Sequence, residues 1–212
     1  TVKINEDDLF KKEGFVVNGK MTVEVALNVK KVSGVCRSML EHDFTSPGIV
    51  SDSVALIVEE KKLYVSSHYL AIHSPVFQAM FFKNFNEMGK SEIPLPEIKY
   101  NEFLELLYVI YPSNRPVTHY SVRFILTLAD RFNIKYAMDQ AEAYLVKANE
   151  FRFNIAAKLL LADKYRLETL KENCILNLNH PQLFKNLQIC PEYNQLSGEM
   201  KSSLLDRLIF LG

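Results

Sequence analysis

The chain has 212 residues, enough for one large domain or two small ones with a buried core. Its 25 basic and 25 acidic side chains cancel, and no basic cluster of the kind that follows a phosphate backbone is visible, so nucleic acid has no support as a partner. Hydrophobic residues at 48% mark a folded chain, yet apolar runs such as 103–111 are interrupted by Glu105 and far too short to span a bilayer.

The first segment contains Phe15-Val16-Val17-Asn18-Gly19-Lys20, a short strand running into an Asn-Gly turn. Residues 22–29 then alternate, with Val23, Val25, Leu27 and Val29 on one side and Thr22, Glu24, Ala26 and Asn28 on the other. Residues 15–29 are therefore predicted to form a β-hairpin. A lone hairpin is only marginally stable, so it must pack on something partly outside this sequence. The start, Thr1-Val2-Lys3, is not a secretory signal and lacks Met, as expected of a fragment of a longer chain.

Residues 30–51 lose the alternation and end in Thr45-Ser46-Pro47-Gly48, punctuation that reads as a linker. Val54–Val58 and Leu63–Val65 form a second predicted hairpin across a charged turn, Glu59-Glu60-Lys61-Lys62. The period then becomes helical. Ser74-Pro75 is a helix start, because Ser caps free amides and Pro is tolerated at the first helical position. Val76, Phe77, Met80 and Phe81 come next on one face, and Ile93-Pro94-Leu95-Pro96 is a short extended piece suited to a sheet edge. Phe103, Leu106, Leu107 and Ile110 mark a helix ended by Pro112. Val122, Ile125, Ala129 and Phe132 share the face of the next, and Ile134, Met138, Ala141 and Leu145 that of another. Residues 151–212 read as helical almost throughout. Within them Leu161-Ala162-Asp163-Lys164-Tyr165-Arg166-Leu167 echoes Leu128-Ala129-Asp130-Arg131-Phe132-Asn133-Ile134, each reading as a helix end, a tight corner and a new helix. Two copies are too few for a repeat array.

Nothing in the sequence promises catalysis. His68 and His73 are five apart and cannot share a metal across one helical turn, and Ser66-Ser67-His68 lacks an orienting third group and an oxyanion hole. Cys36, Cys174 and Cys190 are odd in number and widely spaced, which argues against a zinc site or disulfide framework. Reduced thiols in the cytoplasm or nucleus fit best. No catalytic, cofactor-binding or metal residue is assigned.

The informative feature is a layout: a hairpin, then Leu70-Ala71-Ile72-His73-Ser74-Pro75-Val76-Phe77-Gln78-Ala79-Met80-Phe81, a short strand, a helix, and Leu128-Ala129-Asp130-Arg131-Phe132. With Asp52 before the first strand, this order resembles the BTB/POZ family across about 52–148. The resemblance implies an α/β (α+β) fold, with a small β-sheet capped by a helical cluster. It also implies a homodimer formed around Ser66, Ser67, Tyr69 and Ile72, with Leu70 in the core. Ser66 and Ser67 stand where the family usually has His followed by a basic residue. In the same way, 13–25 resembles the last hairpin of a MATH domain, a peptide-capturing β-sandwich, and the tail resembles the helical extension of many BTB proteins. The family's contact with its BTB-specific cullin is a hydrophobic residue, any residue, then Glu. Phe85-Asn86-Glu87 fits it, and Phe132 joins Phe85 and Glu87 as a cullin-facing residue on the same ground.

The expected organisation is 1–32 as MATH-like strands, 33–50 as linker, 51–150 as BTB domain and 151–212 as helical extension. The expected function is non-enzymatic: a homodimeric substrate adaptor of a cullin-RING ubiquitin ligase, with substrate chosen by a MATH domain mostly absent here. The alternative is a BTB scaffold or transcriptional regulator without cullin binding. The absence of zinc-finger spacing argues against its DNA-binding form.

Overall fold

A computed structural model describes residues 16–17, 20–21, 42–47, 52–83, 92–149 and 151–211. The chain divides into two compact units, residues 1–37 and 38–212. In the first, β1 (Val16–Val17) pairs antiparallel with β2 (Lys20–Met21), Val17 opposite Lys20, so that Asn18 and Gly19 are the two intervening residues. That spacing agrees with the predicted start of a hairpin. The strand expected over 22–29 lies outside the described residues.

The second unit holds a three-stranded sheet in the order β4-β3-β5: β3 is Ser53–Val58, β4 Lys61–Ser66 and β5 Glu92–Pro94. β3 and β4 run antiparallel with Ser53 opposite Ser66 and Val58 opposite Lys61, while β5 runs parallel to β3. Leu56, Val58, Leu63 and Val65 are buried, as the period of two requires. The turn is tighter than the sequence reading, since Lys61 and Lys62 already belong to β4. Only Glu59 and Glu60 remain, both with positive φ (48° and 64°), as a two-residue hairpin loop demands. Glu59 is held there from a distance, because its carboxylate accepts the Tyr100 amide at 2.9 Å at the start of a later helix.

Five helices are arranged around the sheet: α1 (Ser67–His73), α2 (Pro75–Phe82), α3 (Tyr100–Ile110), α4 (Val122–Arg131) and α5 (Lys135–Lys147). Ser74 caps α2 by accepting the Phe77 amide at 3.1 Å, with Pro75 in the first turn. The buried stripe of α2 is narrower than the spacing implied. Phe77 and Phe81 are buried one turn apart, Met80 is partly buried, and Val76 faces solvent. Phe77 stacks on Phe132 (centroids 4.6 Å apart), and Phe103 meets Phe132 edge-on at 5.7 Å. This aromatic cluster ties α2, α3 and the end of α4 together.

Segment 42–47 is no linker. Phe44 is 1% exposed, its carbonyl accepts the Tyr64 amide at 2.9 Å, and its ring meets Tyr108 and Tyr111 edge-on. Residues 42–47 thus do not share the linker role expected over 33–50, whose other residues lie outside the described ones. Punctuation residues 45–48 obscured this, because the buried anchor is a single aromatic without periodic neighbours.

The sequence echo is a structural echo. Asn133 and Arg166 both adopt left-handed backbone (φ 51° and 56°), and the amides of Ile134 and Leu167 return to the carbonyls of Ala129 and Ala162 at 2.8 and 2.9 Å. This six-to-one bond ends a helix and redirects the chain into the next. Past the second corner lie α7 (Glu168–Asn177), α8 (Pro181–Ile189), α9 (Pro191–Gln195) and α10 (Gly198–Leu211), with α6 (Ile155–Tyr165) before it. Buried residues from Phe44 to Leu204 form one continuous core, so the helical extension packs on the preceding helices without a break. Polar contacts between described residues cross the junction. Buried Lys158 donates to the Ala148 carbonyl at 2.5 Å, the end of α5; Glu142 accepts the Leu170 amide at 2.8 Å; and the Thr127 and Tyr165 hydroxyls meet at 2.9 Å.

Candidate protein-interaction site

α1 is seven residues long and depends on its surroundings, because a helix that short has little stability of its own. Ser66 is its N-cap: the hydroxyl accepts the Tyr69 amide at 3.1 Å and donates to the Asp52 carboxylate. His68 Nδ1 lies 3.3 Å from the same carboxylate. The Ser66 hydroxyl, and after it His68, hold the Asp52 carboxyl below its ordinary range against the opposing effect of burial. Ser67 is buried, and its amide donates to the Asp52 carbonyl at 3.1 Å. Tyr69 is half-buried and donates its hydroxyl to the Ile110 carbonyl at 2.7 Å. Leu70 is fully buried, as expected of a core residue.

Ile72 differs from all of these. It is 81% exposed, one helical turn after exposed His68, whose ring lies 5.0 Å from the partly exposed Phe82. Of the four residues the sequence assigned to a dimer interface, Ile72 presents an apolar side chain to solvent. The Ser66 hydroxyl is engaged in the local cap, and Ser67 is buried with its amide on the Asp52 carbonyl. The sequence reading missed the Asp52–Ser66–His68 arrangement. Its signal was the cap pattern itself, a Ser before a helix with an Asp upstream.

The cullin-facing set fares differently. Phe85 and Glu87 lie outside the described residues. Phe132 is 3% exposed, stacked on Phe77 and edge-on to Phe103, with its carbonyl accepting the Ser74 hydroxyl at 2.5 Å. A ring packed in that way offers no face to a partner, so Phe132 is corrected from contact residue to core residue.

No group of three His, Cys, Asp or Glu side chains among the described residues is placed to hold a metal ion. No described helix is long and apolar enough to cross a membrane. A cleft of about 400 Å³ opens between the two corners, but Asp139 is already paired with Lys135 and Glu142 with the Leu170 amide. The hairpin, the capped helix pair, the third strand and the first corner make up residues 42–149, half of the chain, and the BTB/POZ domain family model matches those residues.

The chain belongs to the BTB/POZ domain family. This BTB domain is a protein-interaction module, and its small sheet with surrounding helices is an α+β fold. Similar proteins include BTB and MATH domain-containing protein 38 of Caenorhabditis elegans, 36% identical over 92% of this chain and 50% of the relative. BTB and MATH domain-containing protein 36 of the same organism is 31% identical over 93% of this chain and 61% of the relative. The kelch repeat and BTB domain-containing protein A55 of vaccinia virus is 26% identical over 58% of this chain and 22% of its own length. The chain thus spans about half to three fifths of the length of the two nematode relatives.

Proposed function

We propose that this chain is the self-associating, cullin-recruiting part of a ubiquitin-ligase substrate adaptor, acting by binding and not by catalysis. The observation that carries the reading is the exposed apolar position of Ile72 on a capped helix, beside His68 and the Phe82 ring. An aliphatic side chain on a rigidly held helix is a good anchor for a second copy, because little order is lost on docking. The docked extension supports the adaptor role, since a helical body fixed to the BTB core presents one continuous surface to a partner. Phe85-Asn86-Glu87 supplies the cullin-contact pattern in sequence. The names of the nematode relatives support a MATH domain as the substrate-choosing part of the whole protein.

Calorimetric titration against the N-terminal region of the BTB-specific cullin tests the reading. Phe85→Ala should weaken binding about thirtyfold, from about 2 kcal/mol for an aromatic anchor at about 1.4 kcal/mol per decade. Unchanged affinity removes Phe85 from the site. Absence of binding by the unaltered chain would put the scaffold reading ahead.

A further inference from the structure

Among the described residues β4 is an edge strand, and an open edge invites unwanted pairing. Two of its outward amides are closed by chain from elsewhere: Tyr64 donates to the Phe44 carbonyl at 2.9 Å, and Ser66 donates to the Tyr111 hydroxyl at 3.1 Å. One aromatic packing fixes both acceptors. The Phe44 ring meets Tyr111 at 4.8 Å and Tyr108 at 5.4 Å, and His42 lies 4.6 Å from Phe44 and 4.9 Å from Tyr111. The Tyr111 ring also contacts Tyr69 at 4.5 Å. Ser66, held by Tyr111, is also the residue whose hydroxyl caps α1. A continuous line of contacts therefore runs from segment 42–47 through Phe44 and Tyr111 to the first turn of α1.

We propose that Tyr111, wedged in place by Phe44, is a positioning residue for α1, so that the presentation of Ile72 depends on segment 42–47 lying along β4. The consequence for self-association rests on the dimer reading above; the coupling itself does not. The physical reason is leverage on a short element. Without the Phe44 ring, Tyr111 loses the packing on one side and its hydroxyl no longer has a fixed position. The Ser66 amide then loses its acceptor, and the cap it precedes loosens. In a helix of seven residues, one loosened turn is half of the element.

Amide hydrogen exchange on the full chain, with sedimentation in parallel, tests this. Phe44→Ala should speed exchange at Tyr64, Ser66 and Tyr69 at least tenfold while α3 and α4 keep their protection, and Phe44→Leu should restore most of it. Tyr111→Phe should speed Ser66 and Tyr69 but leave Tyr64 protected, because the Phe44 carbonyl does not need the hydroxyl. Self-association should weaken in the same order. Faster exchange at Tyr64 alone in Phe44→Ala would make the segment a local cover and overturn the proposal. If Phe44→Ala unfolds the whole domain, Tyr111→Phe decides: unchanged Ser66 and Tyr69 exchange in that variant overturns the coupling. A chain that is monomeric at every concentration overturns the dimer reading, while the exchange pattern still judges the coupling.

Discussion

Replacing Phe132 with alanine separates a core role from a partner-contact role by magnitude. The ring is fully packed against Phe77 and Phe103, so truncation removes its transfer free energy, leaves a cavity and breaks two aromatic pairs. Losses for buried Phe→Ala run at about 3–5 kcal/mol, and the double aromatic contact places this site near about 4 kcal/mol. The bond from the Ser74 hydroxyl survives, because it goes to the backbone carbonyl, so the loss isolates the ring. Urea unfolding at one fixed protein concentration is the assay, since the midpoint of a self-associating domain moves with concentration. Phe132→Leu should recover more than half of the loss. A destabilisation below about 1 kcal/mol would show that the ring is not the packed element described, and would make it a surface contact again.

Ile72→Asp should abolish or strongly weaken self-association in sedimentation while changing domain stability by less than about 0.5 kcal/mol, because the side chain is exposed. Arg166→Gly should stabilise by up to about 1 kcal/mol, read from thermal unfolding, since Arg166 holds a left-handed backbone that glycine adopts without a Cβ penalty. Burial pushes the Cys174 thiol up to about 11 and the Tyr111 phenol up to about 12, from ordinary values of 9.0 and 10.0. Both groups stay protonated in the fold after the unfolded chain has lost their protons. Their contribution is thus complete below pH 9.0 and is lost as pH rises towards about 12. Tyr111→Phe should flatten the upper part of that decline in denaturation series across alkaline pH.

What was legible in the sequence was what local chemistry dictates. Ser74-Pro75 announced the start of α2, the two short apolar runs Val54–Val58 and Leu63–Val65 across a charged turn announced the second hairpin, and the repeated Leu-Ala-Asp corner announced two helix reversals. What was not legible depends on partners far along the chain. Glu59 serves Tyr100 and Tyr111 serves Ser66 across 41 and 45 residues, and no window of sequence contains both members of either pair. Phe44 was hidden among turn-forming neighbours for the same reason. Phe132 is a different lesson. Its spacing from Ile125 and Ala129 already put it on the buried face, and only the family resemblance moved it to the surface. The periodicity was the better guide because it reports what the side chain itself must pack against.

The two left-handed corners carry one more consequence. The direction in which the chain leaves α4 and α6 is set by backbone bonds, Ile134 to Ala129 and Leu167 to Ala162, and side-chain identity weighs most at the left-handed residues Asn133 and Arg166. Away from those two positions, composition around the corners can drift while the backbone bonds keep the bearing of the helix that follows. Length cannot drift. One residue added or removed inside α6 or α7 changes the rotational phase of the downstream helices by about 100°, since a turn takes 3.6 residues. The extension then faces the domain with the wrong side, a defect that no neighbouring substitution can repair.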